Sequence, residues 1–228
     1  MTDIAVNLEK IRARIRQAEQ QYHRPPGSVG LLAVSKSRSA DEILSAMACG
    51  QREFGENYLQ EAIPKMDALD AAEVRWHFIG PIQSNKCRAI AERFAWVHSL
   101  DRIKVAQRLN DMRPATAPPL NICIEVNISD ESTKAGISPE DLPAFAVAIN
   151  KLPHVRLRGL MAMPKPCSDF TGQRNAFQRL YECYAGLNAE GMQLDTLSMG
   201  TTDDMEAAIA EGSTMVRIGT AIFGPRPR

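Results

Sequence analysis

Apolar and polar positions alternate along this chain with two different periods. Near the N-terminus, apolar residues recur at spacings of four, three and four, at Ile4, Leu8, Ile11 and Ile15. This is the period of an amphipathic helix, and the arginines in the segment lie mostly off the apolar stripe. We predict a helix over about residues 3–22, ended by the Pro-Pro-Gly sequence that begins at Pro25.

Downstream, short apolar runs that end in small or polar residues alternate with helical patterns. Eight runs predict strands, at residues 31–37, 52–57, 75–80, 95–101, 120–129, 155–163, 196–200 and 215–219. Most are followed by a helical pattern, which makes the strands parallel because a crossover helix returns the chain to the same end of the sheet.

Eight such units predict the fold. In a chain of 228 residues they indicate one α/β domain, a (β/α)8 barrel of the TIM type, with residues 1–24 as an extra N-terminal helix and 29–228 as the barrel. The competitor is a doubly wound open sheet, which would suit six or seven units. The G-x-G-x-x-G sequence typical of that sheet does not follow the first strand, so the barrel is favoured.

Composition narrows the classes of function. The chain has 27 Lys+Arg and 27 Asp+Glu, and a sequence-independent grip on nucleic acid needs an excess of basic residues. No apolar run approaches the roughly 18 residues of a membrane span. The five cysteines are widely spaced and include no C-x-x-C pair. We therefore expect a cytoplasmic protein that binds neither nucleic acid, membrane nor metal.

The residues that close each apolar run are the candidate site, because barrels form their active sites at the carboxyl ends of the strands. Lys36 closes the first run, and strand alternation places it on one face with Leu32 and Val34. It is either a lysine that emerges into water or an amine that points into the barrel and forms a Schiff base. Since an ordinary lysine has a pKa of about 10.4, the second reading requires desolvation or a neighbouring cation. Arg38 is the candidate cation.

The last two units contain the residues of an anion-binding cradle. These are Ser198, Gly200, Thr201 and Thr202 after the seventh run and Arg217, Gly219 and Thr220 at the end of the eighth. Glycines let backbone N–H groups approach a phosphate, hydroxyls add donors, and barrels commonly hold phosphate after strands 7 and 8. The alternative is that the glycines form turns and the polar side chains cap helices, with Asp203 and Glu206 as a capping box. The position in the last two units favours phosphate.

His77 and Met161 also close predicted strands and are weaker candidates. No carboxylate or cysteine completes a metal-ligand spacing with His77 or His98, so structural histidines are the simpler interpretation. Met161 is most simply explained by packing inside the barrel.

Taken together, several segments resemble one family. The chain is similar, over nearly its whole length, to the YggS/PROSC family of pyridoxal phosphate homeostasis proteins, in the segments LLAVSKSRSADEI, GQREFGENYLQEA, WHFIGPIQSNK, VNISDESTKAGI, RGLMAMP and SMGTTDDMEAAIAEGSTMVRIGTAIFG. That family has a barrel like the N-terminal domain of alanine racemase and binds pyridoxal 5′-phosphate (PLP). The resemblance implies the same fold and cofactor here.

The resemblance also implies roles for individual residues. Lys36 would form the internal aldimine with PLP, Asn57 would lie beside the ring, and Arg217 would face the pyridine nitrogen. The phosphate would be held by Ser198, Gly200, Gly219 and Thr220. Lys134 matches a lysine that the family places on a mobile loop near the site.

The chain departs from the family pattern at three positions. The family's SMGMS is SMGTT here, so Thr201 replaces a methionine and Thr202 a serine. The hydroxyl of the serine survives in Thr202, but the packing changes. Arg38 stands where the family often has a second lysine, which keeps the positive charge and loses an amine acceptor.

The arginine implied at the ring nitrogen bears on catalysis. PLP accelerates chemistry at an amino-acid α-carbon by drawing electrons into a protonated ring, and an arginine cannot give that nitrogen a proton. Racemisation needs acid and base groups on both faces of the α-carbon, and only Tyr58 or His77 could be suggested as the second group. The resemblance therefore implies a PLP carrier rather than an enzyme with robust activity.

Three functions stay open at this point. The favoured one stores, buffers or delivers PLP to PLP-dependent apo-enzymes, in a protein whose N-terminal helix covers barrel surface and favours a monomer. The others are a low-activity amino-acid racemase and a Schiff-base aldolase acting on a phosphorylated sugar.

Overall fold

Eight parallel strands form a closed barrel in sequence order. The computed structural model describes residues 3–69, 74–129 and 135–225. The last strand pairs with the first and closes the sheet. The strands are β1 (Gly30–Val34), β2 (Glu53–Glu56), β3 (Arg75–Phe78), β4 (Trp96–Leu100), β5 (Leu120–Glu125), β6 (Val155–Met161), β7 (Thr196–Ser198) and β8 (Met215–Ile218). The predicted barrel is confirmed, and an open sheet is excluded.

Helices follow the strands on the outside of the barrel. They are α1 (Ile4–Gln21), α2 (Ala40–Ala48), α3 (Leu59–Leu69), α4 (Cys87–Arg93), α5 (Ile103–Met112), α6 (Leu142–Asn150), α7 (Phe170–Ala189), α8 (Met205–Ala210) and α9 (Thr220–Phe223), with a 3₁₀ turn at Ser84–Lys86 before α4. Most strands are shorter than predicted, because the last residues of each apolar run leave the sheet and form the loops of the barrel mouth. Among the described residues, no helix is both long and apolar enough to cross a lipid bilayer.

The N-terminal helix α1 packs on the barrel as its apolar period predicts. Asp3 caps it by accepting a hydrogen bond from the Val6 N–H at 3.0 Å. Its apolar stripe is buried, and the helix contacts α2, α8 and α9. Because α8 and α9 follow β7 and β8, α1 braces the part of the barrel that carries the predicted anion cradle.

The interior of the barrel differs from its surroundings. A large hydrophobic cluster fills the space between the sheet and the helices, whereas the second apolar cluster contains only Trp96, Cys123 and Met161 at its centre. The barrels of this architecture are usually filled by branched apolar side chains. Here buried polar side chains occupy much of that volume, namely His77, His98, Ser198 and Arg217.

Candidate functional site

A cavity of about 500 Å³ opens at the carboxyl ends of the strands. We call it the mouth cavity. Its volume lies in the range of small-molecule sites. Eight predicted site residues line it, namely Lys36, Asn57, Met161, Thr201, Thr202, Arg217, Gly219 and Thr220. The lining therefore joins the ends of β1, β2, β6, β7 and β8.

Lys36 is the amine of this cavity, and the strand before it sets its direction. Val34 and Lys36 both line the mouth cavity, as the alternation along β1 predicts, and Lys36 is half-buried. Ser35, between them, faces the other way and is fully buried. The predicted shared face of Val34 and Lys36 is therefore confirmed.

The residue before Lys36 is held by a buried ion pair. The Ser35 hydroxyl donates to Glu56 Oε1 at 2.6 Å, and the Lys65 ammonium donates both to the Ser35 carbonyl at 2.8 Å and to Glu56 Oε1 at 2.9 Å. Burial raises the pKa of Glu56, while the Lys65 charge opposes that rise. The backbone at Ser35 is thus fixed by β2 and α3 together.

The residue after Lys36 is also anchored. Ser37 has a φ of 60°, in the left-handed region that L-residues rarely adopt, and its N–H donates to Glu61 Oε2 at 2.8 Å. The helix that follows starts with a capping box between Ser39 and Glu42. Lys36 therefore projects from a short segment that is fastened on both sides, which reduces the entropy lost when its amine binds a ligand.

Arg38 does not line the mouth cavity. Its guanidinium is buried and donates to the Phe223 carbonyl at 3.0 Å and to the Gly224 carbonyl. The C-terminal carbonyls of a helix lack intrahelical partners, and Arg38 satisfies them at the end of α9. The hypothesis that Arg38 is the cation beside the Lys36 amine is thus not supported by its position.

Arg217 lies beneath the mouth cavity and is bound to three oxygens. Its guanidinium donates to the Ser198 carbonyl, to the Ser198 hydroxyl at 2.8 Å and to the Ala162 carbonyl at 2.9 Å. Burial lowers the pKa of Arg217 to about 10, so the guanidinium stays charged at neutral pH. It therefore places a fixed positive charge and further N–H donors at the base of the cavity.

The predicted anion cradle is only partly assembled at the mouth cavity. Thr202, Gly219 and Thr220 line it, and Thr202 is held through its carbonyl by Arg14 of α1 at 3.2 Å. Thr201 also lines it, but its N–H and its hydroxyl both donate to Asp204 Oδ1. Asp204 therefore takes the two donors that Thr201 could offer to an anion.

Two further cradle residues lie elsewhere. Gly200 borders a neighbouring cavity and has a φ of 99°, where an added Cβ would meet Ala208 Cβ at 2.7 Å. Ser198 is fully buried, and its hydroxyl contacts Arg217 rather than the cavity. The predicted capping box is wrong, because the cap of α8 is Asp204 without a side-chain hydrogen bond to the helix.

His77 lies inside the barrel, away from the mouth. Its ring is fully buried, stacks on Trp96 at a centroid distance of 5.4 Å, and contacts Glu53 and His98. It does not line the mouth cavity. Tyr58 is 52% exposed and does not line the mouth cavity either. Lys134 lies outside the described residues.

Asn57 and Glu125 each have a polar group whose burial is unfavourable. Asn57 Oδ1 is buried without a hydrogen-bond partner, which is costly unless a ligand or water supplies a donor. Burial raises the pKa of Glu125 to about 6, Asp101 adds to the rise and Arg217 opposes it. Glu125 was not predicted from the sequence, although it is a carboxylate at the end of β5, after Ile122, Cys123 and Ile124.

A larger cavity, of about 870 Å³, lies at the opposite end of the barrel, between α1 and the amino ends of the strands. We call it the floor cavity. It is bordered by Arg12, Arg16, Arg24, Arg52 and Arg75 and contains no lysine. Since barrels carry their chemistry at the carboxyl ends of the strands, the mouth cavity is the better candidate despite its smaller volume.

Comparison with known proteins agrees with this geometry. Residues 6–227 match the family described as alanine racemase, N-terminal domain. A protein of Pseudomonas aeruginosa named pyridoxal phosphate homeostasis protein is 58% identical over 226 residues, which cover 99% of this chain and 97% of that protein. A protein of the same name in Escherichia coli is 51% identical over 229 residues, covering 99% and 98%.

Solved structures show the same fold. PipY of Synechococcus elongatus, in a structure with PLP bound, has a TM-score of 0.85 and 36% identity, and the match covers 97% of this chain and all of that one (100%). Alanine racemase from Corynebacterium glutamicum shares the fold at a TM-score of 0.71 and 19% identity, with 99% of this chain matching 61% of that one. The chain therefore belongs to the alanine racemase N-terminal domain family and, within it, to the pyridoxal phosphate homeostasis proteins.

Proposed function

We propose that this protein binds PLP in the mouth cavity, with Lys36 as the covalent attachment point, and contributes to intracellular PLP homeostasis by storing, buffering or delivering the cofactor. The observation that carries the proposal is that Lys36 and the buried Arg217 line one and the same cavity of about 500 Å³. The Lys36 nitrogen would add to the aldehyde carbon and release one water as the C=N bond forms.

The residues present fit PLP. The cavity offers an amine for the aldehyde, a cation for the ring nitrogen, and the hydroxyls of Thr202 and Thr220 with the Gly219 backbone for the phosphate. Asn57 Oδ1 lacks a partner there and could accept a hydrogen bond. The relatives named pyridoxal phosphate homeostasis protein and the PLP-bound structure of PipY support the same ligand.

Arg217 favours a carrier over an enzyme. When bound, PLP supplies an electron sink that is strong only with a protonated ring nitrogen. Arg217 keeps N–H donors beyond its three hydrogen bonds, and its pKa of about 10 means that it can donate a hydrogen bond to the ring nitrogen without releasing a proton at neutral pH. Neither Tyr58 nor His77 reaches the mouth cavity to act as a second acid or base.

The covalent attachment can be tested directly. The purified protein mixed with PLP should develop a visible absorption band, and borohydride should fix the cofactor on the Lys36 peptide. The Lys36→Ala variant should keep its fold and lose the band, with Lys104→Ala as a control on the exterior helix α5. A covalent adduct on another residue of the wild-type protein would contradict the proposal.

The carrier role has its own test. We propose PLP-dependent apo-enzymes in the cytoplasm as recipients, and a monomer as the acting form, supported by the burial of the apolar stripe of α1 against the barrel. Reactivation of an apo-enzyme by loaded protein should be compared with release of PLP into buffer. Rapid deuterium exchange at the α-carbon of added amino acids would favour a racemase instead.

A further inference from the structure

A chain of buried hydrogen bonds crosses the barrel from its floor to Arg217. We call its four members the barrel relay: Glu53, His77, His98 and Ser198. Successive contacts are 2.6 Å from Glu53 Oε2 to His77 Nε2, 2.8 Å from His77 Nδ1 to His98 Nε2, and 2.8 Å from His98 Nδ1 to Ser198 Oγ. Four different strands supply these residues, so only the closed sheet brings them into line.

Its two ends lie in different surroundings. Glu53 is the first residue of β2, its side chain is 22% exposed, and it borders the floor cavity beside Arg75, with which it forms an ion pair. Ser198 is the last residue of β7 and accepts from Arg217 at 2.8 Å. The relay therefore connects solvent at the floor with the base of the mouth cavity.

Because Arg217 can only donate and the Glu53 carboxylate can only accept, the hydrogen bonds of the relay all run in one direction, from Ser198 to Glu53. Arg217 can only donate, so it uses a lone pair of the Ser198 hydroxyl and leaves the hydroxyl proton for His98 Nδ1. Neutral His98 then carries its proton on Nε2 and donates to His77 Nδ1. His77 in turn carries its proton on Nε2 and donates to the Glu53 carboxylate, which can only accept.

The opposite direction is disfavoured by the same geometry. It would set an unprotonated His77 Nε2 against the ionised Glu53 carboxylate at 2.6 Å, two acceptors in contact. It would also aim two donors, from His98 and Arg217, at the Ser198 hydroxyl and displace the hydroxyl proton. The relay direction therefore decides how well Ser198 can accept from Arg217.

The charges around the relay agree with neutral rings and an ionised floor carboxylate. Burial would raise the pKa of Glu53, but hydrogen bonds from His77 and Arg75 bring it below its usual value. Burial lowers the pKa of His77, while Glu53 opposes this and Arg75 adds to it. Burial, then the charges of His77 and Arg217, hold the pKa of His98 well below its usual value.

Other ionisable groups face the relay and its end at Arg217. Arg158 lies over the Trp96 ring that stacks on His77, and it is paired with Asp195 at the floor. Burial lowers the pKa of Arg217, whereas Asp204, Cys123 and Glu125 oppose this shift. None of these groups takes part in the hydrogen bonds of the relay.

We propose that the barrel relay is a positioning device, which orients Arg217 from beneath and transmits the charge of Glu53 at the floor to the candidate cofactor site. The direction of the hydrogen bonds in the relay does not depend on a bound cofactor. The effect of the relay on PLP rests on the proposed function. The relay moves no proton to the ligand, because Arg217 at its end cannot release one. The relay instead changes how strongly the Ser198 hydroxyl accepts the hydrogen bond from Arg217.

The first experiment uses the protein without PLP. Nitrogen NMR of the histidine side chains should show His77 and His98 neutral and protonated on Nε2 at pH 7. In Glu53→Gln the amide can either donate or accept, so the two rings should lose this single tautomer. Asp195→Asn, at another floor carboxylate paired with an arginine, should leave both tautomers as in wild type.

Two results of this experiment would overturn the proposal. One is a proton on Nδ1, or a positive charge, on either ring of the wild-type protein at pH 7. The other is an unchanged tautomer pattern in Glu53→Gln. If Glu53→Gln fails to fold, Ser198→Ala tests the relay from the other end, because His98 Nδ1 then loses its donor and its nitrogen resonance should shift to that of an acceptor without a hydrogen bond. An unshifted His98 Nδ1 resonance in Ser198→Ala would overturn the proposal.

The second experiment uses the loaded protein. The pH midpoint of the PLP absorption band should move by about half a pH unit in Glu53→Gln, because a charge acting through a polarised chain is weaker than one in direct contact. It should not move in Asp195→Asn. An equal midpoint in all three proteins contradicts the coupling to the cofactor. Absence of any PLP absorption band in the wild-type protein contradicts the proposed function. The NMR experiment still tests the direction of the relay in that case, because it uses the protein without PLP.

Discussion

Glu125 is a carboxylate whose burial works against the fold. Its pKa of about 6 lies above the ordinary 4.5, so the folded protein binds this proton more tightly than the unfolded chain. Stability therefore falls as pH rises from about 4.5 to about 6, by about 2 kcal/mol in total for this group. The loss persists at pH 7, where the carboxylate is ionised in both states.

Glu125→Gln should accordingly raise the free energy of unfolding at pH 7 by up to about 2 kcal/mol and change it little at pH 4.5. Urea unfolding at the two pH values measures the effect, as the difference between variant and wild type. Glu190→Gln, an exposed position just after α7, is the control. A gain of the same size at both pH values would show that burial of the charge is not its cause.

The hydroxyls of the neighbouring residues Thr201 and Thr202 have different surroundings. The Thr201 hydroxyl donates to Asp204 at 2.9 Å, so Thr202 is the better donor to a phosphate in the mouth cavity. Thr202→Val should weaken PLP binding about tenfold, the loss of one hydrogen bond to a charged group at ~1.5 kcal/mol. Pyridoxal, which lacks the phosphate, should bind the variant and the wild type equally. Equal losses for both ligands would remove Thr202 from the phosphate site.

At the scale of elements, α1 supports the cradle from outside the barrel. Arg14 forms a two-point ion pair with Glu206 of α8, at 2.9 and 3.0 Å, and donates to the Thr202 carbonyl. The pair is more than a third exposed, so its loss should cost under about 1 kcal/mol of stability. Arg14→Ala should instead lower the affinity for PLP by releasing the Thr202 loop.

Arg16 on the same helix supplies the matched control for that prediction. It pairs with Glu9 on the surface and does not contact the Thr202 loop. Fluorescence titration with PLP should separate the two variants, with Arg16→Ala matching wild type. Equal affinities for all three proteins would mean that α1 does not position the cradle.

The buried ion pair between Lys65 of α3 and Glu56 of β2 contributes more to stability than the exposed pair of Arg14 and Glu206. Removing Lys65 leaves the Glu56 carboxylate buried without its cation and frees the Ser35 carbonyl next to Lys36. Lys65→Met should therefore destabilise the fold by about 3 kcal/mol or more. Denaturant unfolding should show partial recovery in Lys65→Met/Glu56→Gln, which removes the stranded charge. A single variant as stable as wild type would contradict this reading of the pair.

The helices and strands could be predicted from the sequence because each follows from the spacing of apolar residues within one short segment. The apolar runs at residues 31–37 and 215–219 stand out as strands by composition alone, and the pairing of β1 with β8 follows from the number of units. The barrel relay was not readable, because His98 and Ser198 lie 100 residues apart and meet only when the sheet closes. The contacts of Arg38 could not be predicted for a similar reason, since the carbonyls to which it donates belong to the far end of the chain.

At the scale of the whole molecule, folding and ligand binding are linked. A ligand that binds the folded state alone, at about 100 times its Kd, adds ~2.7 kcal/mol of stability. For a chain of this size, PLP should raise the melting temperature by about 5–10 °C. Lys36→Ala should retain only the part of this rise that comes from non-covalent contacts. A full rise in that variant would mean that the attachment contributes nothing to affinity.

The same melting curves test whether the folded unit is the single chain. The apolar stripe of α1 is buried against the barrel rather than left for a partner, as the residues Leu8, Ile11 and Ile15 show with exposures of 0%, 3% and 5%. A monomer melts at a temperature that is independent of its own concentration, whereas a dimer is stabilised by mass action. Calorimetry over a hundredfold range of protein concentration should therefore give one melting temperature, with and without PLP. A melting temperature that rises with concentration only in the presence of PLP would indicate that the loaded protein associates, and the monomeric carrier would have to be abandoned.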